Sequence, residues 1–324
     1  MDKKDLRIVY LGTPDFAVES LRRLVEGGYQ VVGVVTMPDK PVGRHQNQLQ
    51  PSPVKAYAEQ AGLPLLQPVS LKDEAFLEQL RAWRADLQIV VAFRMLPEVV
   101  WAMPRLGTFN LHASLLPQYR GAAPINWAIM NGERETGITT FFLKHEIDTG
   151  DVIDQVSLPI GPDDDFATVH DRLMRMGGDL VVKTVDRLLQ GSVESRPQRE
   201  MAGGDGPLKL APKIFRETCR IDWHQPAQTI HNHIRGLSPV PAAWSGLQTA
   251  QGETTVKIFR AHPIVPATND LPVGSIALEG RDSLLVQTAQ GLLAVEELQV
   301  AGKRRMAAGD FLHGLQHPEQ LFFC

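Results

Sequence analysis

Short apolar runs, separated by segments of helical periodicity, constrain the fold of this chain more than any other feature. The four clearest runs are Leu6–Leu11, Val31–Val35, Leu87–Ala92 and Thr108–His112. Continuous aliphatic and β-branched runs of this kind are typical of strands covered on both faces, as in a parallel sheet. Their alternation with helices predicts a Rossmann-like α/β domain with a doubly wound, mostly parallel sheet.

The predicted helices have clear start and stop signals. After the first strand, Thr13 is a suitable N-cap, Pro14 suits the first helical position, and Gly27-Gly28 end the pattern. Further helices are predicted at Val54–Gln60 and Glu74–Trp83. Helices between successive strands provide the crossovers that a parallel sheet needs.

The chain is long enough for two domains, since 324 residues exceed the usual size of one core. A long helix is predicted at Phe166–Leu189, where Gly177-Gly178 favours a break or a kink. Residues Gly191–Pro207 are rich in Gly, Ser, Pro and charge, as linkers often are. We therefore predict a first domain at 1–190, a linker at 191–207 and a second domain at 208–324.

The predicted second domain has a different pattern, with short apolar runs at fairly even spacing. These runs are Thr255–Phe259, Gly274–Leu278, Ser283–Gln287 and Leu292–Leu298. Short strands separated by Gly, Pro and Asp turns predict a small β-barrel after the α/β domain.

Composition narrows the class of protein. The chain is 43% hydrophobic and 22% charged, and no apolar run approaches the roughly 20 residues that a membrane-spanning helix needs. The only cysteines, Cys219 and Cys324, are far apart, so neither a disulfide framework nor a cysteine zinc site is expected. This cysteine usage predicts a cytoplasmic protein.

The charge distribution argues against nonspecific coating of nucleic acid, because the net charge is −4. Residues 207–324 hold 11 Lys and Arg against 10 Asp and Glu, a net charge of +1. Residues 1–206 then hold 22 against 27, a net charge of −5. The densest basic cluster in the C-terminal part is Lys303-Arg304-Arg305. Three charged residues in a row are also common in a solvent-exposed turn that has no binding role.

Asn110 and His112 are candidate active-site residues because ligands of doubly wound sheets lie beyond the carboxyl ends of the strands. The two residues are two positions apart on a predicted strand, so their side chains share a face. An Asn amide and a protonated imidazole can both donate to a developing oxyanion, and His can relay a proton. Such a pair can equally serve only to satisfy loop amides.

Asp148 is a third candidate, in the segment Ile147-Asp148-Thr149-Gly150-Asp151. This segment lies between a strand predicted at Ile138–Leu143 and a hairpin predicted to start at Val152. A carboxylate beside an imidazole would orient the ring. An Asp before Thr-Gly is also an ordinary turn residue.

Other candidate sites have less support. Gly12 begins a strand-to-helix turn without the G-x-G-x-x-G spacing of a dinucleotide site, and Pro14 removes an amide there. His224, His231 and His233 have no carboxylate or thiolate at ligand spacing, so no metal site is predicted. The chain has no G-x-S-x-G elbow, which favours catalysis without a covalent intermediate.

A series of motifs runs in order through both predicted domains. They are LGTPDFA (11–17), PDKPVGR (38–44), PSPVKAYA (51–58), GTFNLHASLLPQYRGAAPINWAI (107–129), ETGITT (135–140), IDTGD (147–151), LKLAPKI (208–214), RIDW (220–223), IRGLSPVPAAW (234–244) and AGKRRM (301–306). Together they resemble the methionyl-tRNA formyltransferase family. The stretch Asn110–Pro124 with IDTGD is specific to folate-dependent formyltransferases, and the C-terminal motifs separate the tRNA enzymes from their relatives.

The resemblance implies a transferase that moves the formyl group of 10-formyltetrahydrofolate, its co-substrate, to the amine of methionine on initiator methionyl-tRNA. Asn110, His112 and Asp148 match the catalytic residues of the family. The segment that contacts the folate carrier is matched by Ser114, Leu115, Leu116 and Pro117. No metal is implied.

The resemblance also implies a monomeric cytoplasmic enzyme whose C-terminal domain is an OB-like barrel that holds the tRNA. In this barrel Lys303, Arg304 and Arg305 match positions that contact the tRNA backbone. The loop Pro38–Pro51, which includes Arg44, matches one that meets the tRNA acceptor end.

Two segments depart from the family pattern. The segment Ala92-Phe93-Arg94-Met95-Leu96-Pro97 lacks a glycine after the aromatic residue and is one residue shorter before the proline. The folate pocket is therefore expected to differ in its detailed shape. The segment Arg44-His45-Gln46-Asn47-Gln48-Leu49 lacks the consecutive lysines that often follow the arginine, so Arg44 is expected to carry more of the loop's attraction to tRNA.

Three other functions are compatible with parts of the sequence. A formyltransferase acting on a small amine, such as glycinamide ribonucleotide or an amino sugar, would share the first domain. The nucleotide version would not need the C-terminal domain. A non-catalytic RNA-binding module would not need Asn110, His112 and Asp148, and a nicotinamide dehydrogenase would have to bind NAD.

Overall fold

The chain folds into two compact units in the computed structural model, which describes residues 2–42, 48–201, 207–249, 252–264, 271–280, 282–315 and 321–324. The first unit comprises Met1–Gly121, Thr136–Leu158 and His170–Leu210. The second comprises Ala122–Glu135, Pro159–Val169 and Ala211–Cys324. Two segments of the first 190 residues thus belong to the second unit.

The first 190 residues alternate strands and helices. The strands are β1 (Ile8–Gly12), β2 (Val31–Val35), β3 (Lys40–Val42), β4 (Gln48–Gln50), β5 (Leu65–Leu66), β6 (Leu87–Val91), β7 (Thr108–His112), β8 (Arg120–Gly121), β9 (Glu135–Phe142) and β10 (Val152–Pro159). The helices are α1 (Phe16–Glu26), α2 (Pro53–Gln60), α3 (Glu74–Ala82), α4 (Glu98–Trp101), α5 (Pro124–Met130) and α6 (Phe166–Gln190).

The main sheet of the first unit is mostly parallel and Rossmann-like, which confirms the predicted fold class. Its strands lie in the order β10, β9, β7, β6, β1, β2, β5. The five strands from β7 to β5 in this order are parallel to one another. Strand β9 runs antiparallel to β7. Every residue of the central strands β1 and β6 is buried, as continuous apolar runs predict.

Helix α1 begins two residues later than predicted. Its N-cap is Asp15, whose side chain accepts a hydrogen bond from the N–H of Phe16. The turn that leads into the helix has a 3-10 type hydrogen bond, in which the N–H of Ala17 donates to the carbonyl oxygen of Pro14. Thr13 is therefore not the N-cap, and its buried Oγ1 has no hydrogen-bond partner among the described residues.

Helix α6 continues through Gly177 and Gly178, so no break occurs at the glycine pair. A Cβ atom on Gly177 would lie 2.7 Å from Cδ2 of Leu111 on β7. A Cβ atom on Gly178 would lie 3.1 Å from Cγ of Glu19 on α1. The glycines thus permit close packing of α6 and do not end it.

The C-terminal part is mainly antiparallel. Its elements are β11 (Leu210–Ala211), α7 (Ala227–Leu237), β12 (Ala243–Thr249), β13 (Gly252–Ile264), β14 (Ile276–Glu279), β15 (Ser283–Gln287), β16 (Leu292–Val300), β17 (Met306–Ala307), α8 (Ala308–His313) and β18 (Phe322–Phe323). Six strands lie in the order β14, β15, β16, β13, β12, β18, and β17 pairs with β16. A bridge between Ser275 and Phe322 brings the two ends of this sheet together, giving a nearly closed, barrel-like form that confirms the predicted barrel.

Helix α7 fills one side of the barrel-like sheet and was not predicted. Its buried Ile230, Ile234 and Leu237 follow helical spacing and pack in the same core as Val256 and Ile258 of β13. That spacing is visible in the sequence and could have indicated the helix. None of the helices in the described ranges is long and apolar enough to cross a membrane.

Candidate functional site

Asn110 and His112 lie on β7, which has β6 on one side and β9 on the other. His112 is the last residue of the strand and is buried, whereas Asn110 is half-buried. Residues two apart on a strand point to the same face. The two side chains therefore project from one face near the carboxyl end of the strand, as predicted.

The imidazole of His112 lies between two oxygen atoms. Its Nε2 atom is 2.9 Å from the carbonyl oxygen of Tyr119, and its Nδ1 atom is 3.9 Å from Oδ2 of Asp148. A carbonyl oxygen can only accept, so Nε2 carries the proton in this contact. The edge of the ring also meets Phe141, with ring centroids 6.5 Å apart. The ring is thus fixed in orientation, with Nδ1 towards a carboxylate.

Asp148 is held in an unusual backbone conformation, with φ at 55°. Left-handed φ values are uncommon for residues other than glycine, although Asp tolerates them better than most. Its Oδ2 atom accepts a hydrogen bond from the N–H of Gly121 at 3.1 Å. The side chain is 12% exposed, so the carboxylate is largely withdrawn from solvent.

Gly150 allows the Asp148 turn to pack against β9. A Cβ atom at this position would lie 1.6 Å from the carbonyl oxygen of Phe142, which no side chain can occupy. The N–H of Phe142 donates to the carbonyl oxygen of Asp151 at 3.0 Å and closes the turn. The glycine of the IDTGD motif is therefore required by the close approach of two backbone segments.

Sequence reasoning missed three contributors to this site. The carbonyl oxygen of Tyr119 and the N–H of Gly121 hold His112 and Asp148, but backbone groups leave no compositional signal. Gln198 donates from its side-chain amide to the carbonyl oxygen of Asp148 at 2.7 Å. It lies in the segment predicted as a linker, and nothing in the local sequence indicated a contact with Asp148.

The segment Ser114, Leu115, Leu116 and Pro117 follows β7 directly. The Ser114 hydroxyl is buried and donates to the carbonyl oxygen of Gln118 at 2.7 Å. Leu116 packs with Phe141 and Val152 in a small core cluster. The half-buried Leu115 is the most exposed of the four side chains. Any ligand contact from this segment would thus come from Leu115 or from the backbone, since the Ser114 hydroxyl is already engaged.

Arg94 lies in the segment that departs from the family pattern. Its guanidinium donates to the carbonyl oxygens of Pro68 and, at 2.8 Å, Val69. It also lies over the ring of Phe93, 5.7 Å from the centroid. Burial lowers the pKa of Arg94 below its ordinary value. This arginine therefore ties the loop after β6 to the loop after β5.

Arg44, predicted to contact the tRNA, lies outside the described residues. The base of its loop is held by Asp39, which accepts from Lys55 Nζ at 2.6 Å and from Gln67 Nε2 at 2.8 Å. These two hydrogen bonds, the one from Lys55 foremost, lower the pKa of Asp39 below its ordinary value.

The basic cluster Lys303-Arg304-Arg305 is exposed on the turn between β16 and β17. Arg305 Nη2 lies 2.5 Å from Oε2 of Glu297, and its guanidinium lies 4.1 Å from the ring centroid of Phe259. Within the described ranges, neither Lys303 nor Arg304 forms an ion pair. The three cations are thus not equivalent, because Arg305 is already neutralised in part.

Of the three neighbouring histidines His224, His231 and His233, His231 is held by two backbone carbonyl oxygens. His231 lies with Nδ1 2.7 Å from the carbonyl oxygen of Ala261 and Nε2 3.1 Å from that of Pro162. In the part of the chain that the structure describes, no group of three or more His, Cys, Asp or Glu side chains could hold a metal ion.

Comparison with known proteins gives the family of the chain. Residues 6–185 match the formyl transferase family, and residues 213–316 match the formyl transferase C-terminal domain. Proteins named methionyl-tRNA formyltransferase from Parabacteroides distasonis and Bacteroides fragilis are each 62% identical to it, over 98% of both chains. The chain belongs to the methionyl-tRNA formyltransferase family. A relative of the same name from Porphyromonas gingivalis is 50% identical over 97% of both chains.

Solved structures share the fold of this methionyl-tRNA formyltransferase family member at low sequence identity. An N-formyltransferase from Helicobacter canadensis, in complex with folinic acid and dTDP-3-aminofucose, gives a TM-score of 0.64 at 18% identity, covering 93% of this chain and 100% of that one. HypX from Aquifex aeolicus, in complex with tetrahydrofolic acid, gives 0.62 at 20% identity, covering 95% of this chain and 47% of that one. The family predicted from the motifs is therefore confirmed, and these structures support its fold.

Proposed function

We propose that this chain transfers the formyl group of 10-formyltetrahydrofolate to the α-amine of methionine on initiator methionyl-tRNA, for translation initiation. The proposal depends most on one observation: His112 stands between the Tyr119 carbonyl and the Asp148 carboxylate, in a chain 62% identical to proteins named methionyl-tRNA formyltransferase. We propose a cytoplasmic, monomeric enzyme with a catalytic domain at 1–190, a connecting segment at 191–207 and a tRNA-binding domain at 208–324.

The reaction joins the amine nitrogen to the formyl carbon and breaks the bond between that carbon and N10 of the folate. During the attack, negative charge develops on the formyl oxygen. The amide of Asn110 and the Nδ1–H group of His112, whose Nε2 is held by the Tyr119 carbonyl, would donate hydrogen bonds to this oxygen. Such donors act on charge that exists only in the transition state, so they raise the rate of the chemical step.

Asp148 would orient His112 and assist proton transfer. Its Oδ2 atom is 3.9 Å from Nδ1 of the imidazole, so the carboxylate faces the second nitrogen of the ring. The attacking amine must lose a proton, and N10 of tetrahydrofolate must gain one. The carboxylate of Asp148, 12% exposed, is the nearest acidic group to His112 and could pass that proton through a water molecule.

Three apolar side chains near the trio suit the aromatic rings of a folate. Met95 is 73% exposed in the segment after β6, and Ile147 is 62% exposed in the segment after β9. Met95 follows β6, a neighbour of β7, Leu115 follows β7 itself, and Ile147 directly precedes Asp148. Exposed apolar side chains that form one surface are typical of ligand-binding grooves. We propose that the folate carrier is held there, with Ser114, Leu116 and Pro117 shaping the backbone beneath it.

The tRNA would be held by phosphate contacts from Lys303 and Arg304, with Arg305 contributing less, and by Arg44. Phosphate contacts supply affinity without sequence information and make binding depend on salt. They would bring the charged acceptor end to the formyl donor, while the catalytic residues act on the amine.

The decisive experiment is formylation of methionine-charged initiator tRNA with 10-formyltetrahydrofolate as donor. Uncharged initiator tRNA and glycinamide ribonucleotide serve as controls. We expect transfer to the charged tRNA alone. Transfer to glycinamide ribonucleotide alone would overturn the proposed acceptor but keep the chemistry, and transfer to no acceptor, with folate still bound, would overturn the proposed activity.

A further inference from the structure

Gln198 forms a buried hydrogen-bonded junction at the back of Asp148. Its Nε2 atom donates to the carbonyl oxygens of Asp148 at 2.7 Å and Gly150 at 2.9 Å. Its Oε1 atom accepts from Nε and Nη2 of Arg120 at 3.1 and 2.7 Å. The residue is 3% exposed, so water does not compete for these bonds.

The four contacts use the full hydrogen-bonding capacity of the amide. A primary amide offers two N–H donors and two oxygen lone pairs, and the partners here are two carbonyl oxygens and two guanidinium N–H groups. Reversing the amide would place its oxygen against the carbonyls and its N–H groups against the guanidinium. Only one orientation is therefore possible, and no other residue type supplies both functions at this length.

The segment around Gln198 is fixed to the same unit as Asp148. Arg196 exchanges two backbone hydrogen bonds with Val152, each 2.8 Å long. Gln198 begins a short 3-10 helix, and Met201 after it packs against the cluster of Leu116, Phe141 and Val152. These contacts fix the backbone that carries the Gln198 amide, although the segment falls within the stretch predicted to be a linker.

The hydrogen bonds of Gln198 connect the two backbone segments that hold His112 and Asp148. Arg120, which is bound by Gln198, lies between Tyr119 and Gly121 in the sequence. The carbonyl oxygen of Tyr119 contacts His112, and the N–H of Gly121 donates to the Asp148 carboxylate. On the other side, Gln198 holds the backbone of Asp148 in its left-handed conformation. The Gln198 side chain thereby links the turn that carries Asp148 to the segment 119–121, whose backbone holds the side chains of His112 and Asp148.

We propose that Gln198 is a positioning residue for Asp148, which it holds against His112 through the Asp148 and Gly150 carbonyls and Arg120. This inference rests on the proposed function, because it assigns Gln198 a part in the same reaction. Gln198 does not touch the reacting atoms. Displacing a catalytic group by about 1 Å can cost on the order of 10²-fold in rate, so a residue at this distance can have a large effect.

The test uses the full-length protein with two substitutions at Gln198. Gln198→Met keeps the length of the side chain and removes every hydrogen bond. Gln198→Glu keeps an acceptor for Arg120 and removes the two donors, so it remains informative if the first variant folds poorly. Gln190→Met, at an exposed position on α6, is the matched control. Formyl transfer is followed in single turnovers, with KM values for folate and tRNA measured separately.

We expect both Gln198 variants to lower kcat by about 10- to 100-fold, with KM values within about threefold of the original. The deciding measurement repeats Gln198→Met in an Asp148→Asn background. A residue that acts through Asp148 should then lose most of its effect, whereas a general structural defect would reduce the rate by the same factor in both backgrounds.

Two results would overturn the inference: an unchanged kcat in both Gln198 variants, or equal losses with and without the Asp148 carboxylate. Failure of the proposed function looks different, since the unmodified protein would then formylate no methionyl-tRNA. The activity of the unmodified protein, measured first, therefore separates the two outcomes.

Discussion

The Oδ2 atom of Asp148 lies 3.9 Å from Nδ1 of His112 and also accepts the N–H of Gly121. One carboxylate thus faces the imidazole and is anchored to the segment whose Tyr119 carbonyl holds the other side of the same ring. Because Nε2 is held by the Tyr119 carbonyl, only Nδ1 is left to donate to a substrate oxygen, and small displacements of the ring should matter.

Replacing His112 should remove an oxyanion donor without disturbing substrate binding. We expect His112→Ala to lower kcat for formyl transfer by about 10²–10³-fold, because donors aimed at a developing oxyanion typically contribute that much. His145→Ala is the control, since His145 has a side chain 76% exposed and lies outside the proposed machinery. A folded His112→Ala variant with near-normal turnover would disprove the assignment.

Substitution of Gly150 should destabilise the protein. In Gly150→Ala the new Cβ atom would lie 1.6 Å from the Phe142 carbonyl oxygen, so the Asp148 turn must move. We expect a loss of at least about 1–3 kcal/mol in the free energy of unfolding, typical of an overpacked site, together with reduced activity. Chemical denaturation measures the first quantity. Gly314→Ala, whose Cβ would have its nearest contact at 3.5 Å, should change stability by less than about 0.5 kcal/mol.

Arg94 should affect the folate KM more than kcat, because it ties together loops beside the proposed folate pocket. Arg94→Met removes the donors to the Pro68 and Val69 carbonyls. We expect the KM for 10-formyltetrahydrofolate to rise by about tenfold, near the lower range for hydrogen bonds from a charged group. Arg81→Met, at an exposed arginine on α3, should leave it unchanged. An equal KM in the Arg94→Met and Arg81→Met variants would show that folate binding does not depend on the hydrogen bonds of Arg94.

In the basic turn, Lys303 and Arg304 should contribute more to tRNA binding than Arg305, which has an ion pair within the protein. Lys303→Ala and Arg304→Ala should each weaken binding uniformly and reduce the slope of log affinity against log salt by about 1. Arg305→Ala should reduce it by less, since Glu297 already pairs with this side chain at 2.5 Å. Titrations at several salt concentrations measure the slope. Three equal changes, or none, would contradict this order.

His233 should make stability depend on pH below neutrality. Burial lowers its pKa below the ordinary value, opposed in part by a hydrogen bond to the Cys219 backbone, and its Nε2 has no partner in the described ranges. In the unfolded chain it binds a proton near pH 6.5, so below that pH the unfolded state holds more protons and stability falls, by at most about 1.4 kcal/mol per pH unit from this residue.

The measurement is denaturation of the unmodified protein and of His233→Gln at pH 7.5 and pH 5.5. The variant lacks the titrating group, so its loss of stability between the two pH values should be smaller. Equal losses would show that burial of His233 carries no pH dependence.

Local signals were sufficient for most of the α/β fold. The predicted strand at Val31–Val35 and the one at Thr108–His112 have the observed bounds, because strands covered on both faces are rich in buried and β-branched residues. The start of α1 was misplaced, since a tightened first turn looks the same in sequence as a helical one. Gly177 was read as a helix breaker because the sequence does not show that Leu111 packs against it.

The sequence by itself determined the family, the fold class and the candidate trio of Asn110, His112 and Asp148, because these follow from motifs and local periodicity. Only the tertiary structure decided that Asp148 faces His112, that the Ser114 hydroxyl is turned inward, and that Arg305 is paired. It also decided that Gln198 joins the site from a segment far along the chain. Periodicity reports which face of an element is buried, whereas the partner that a buried polar group finds depends on how distant segments pack.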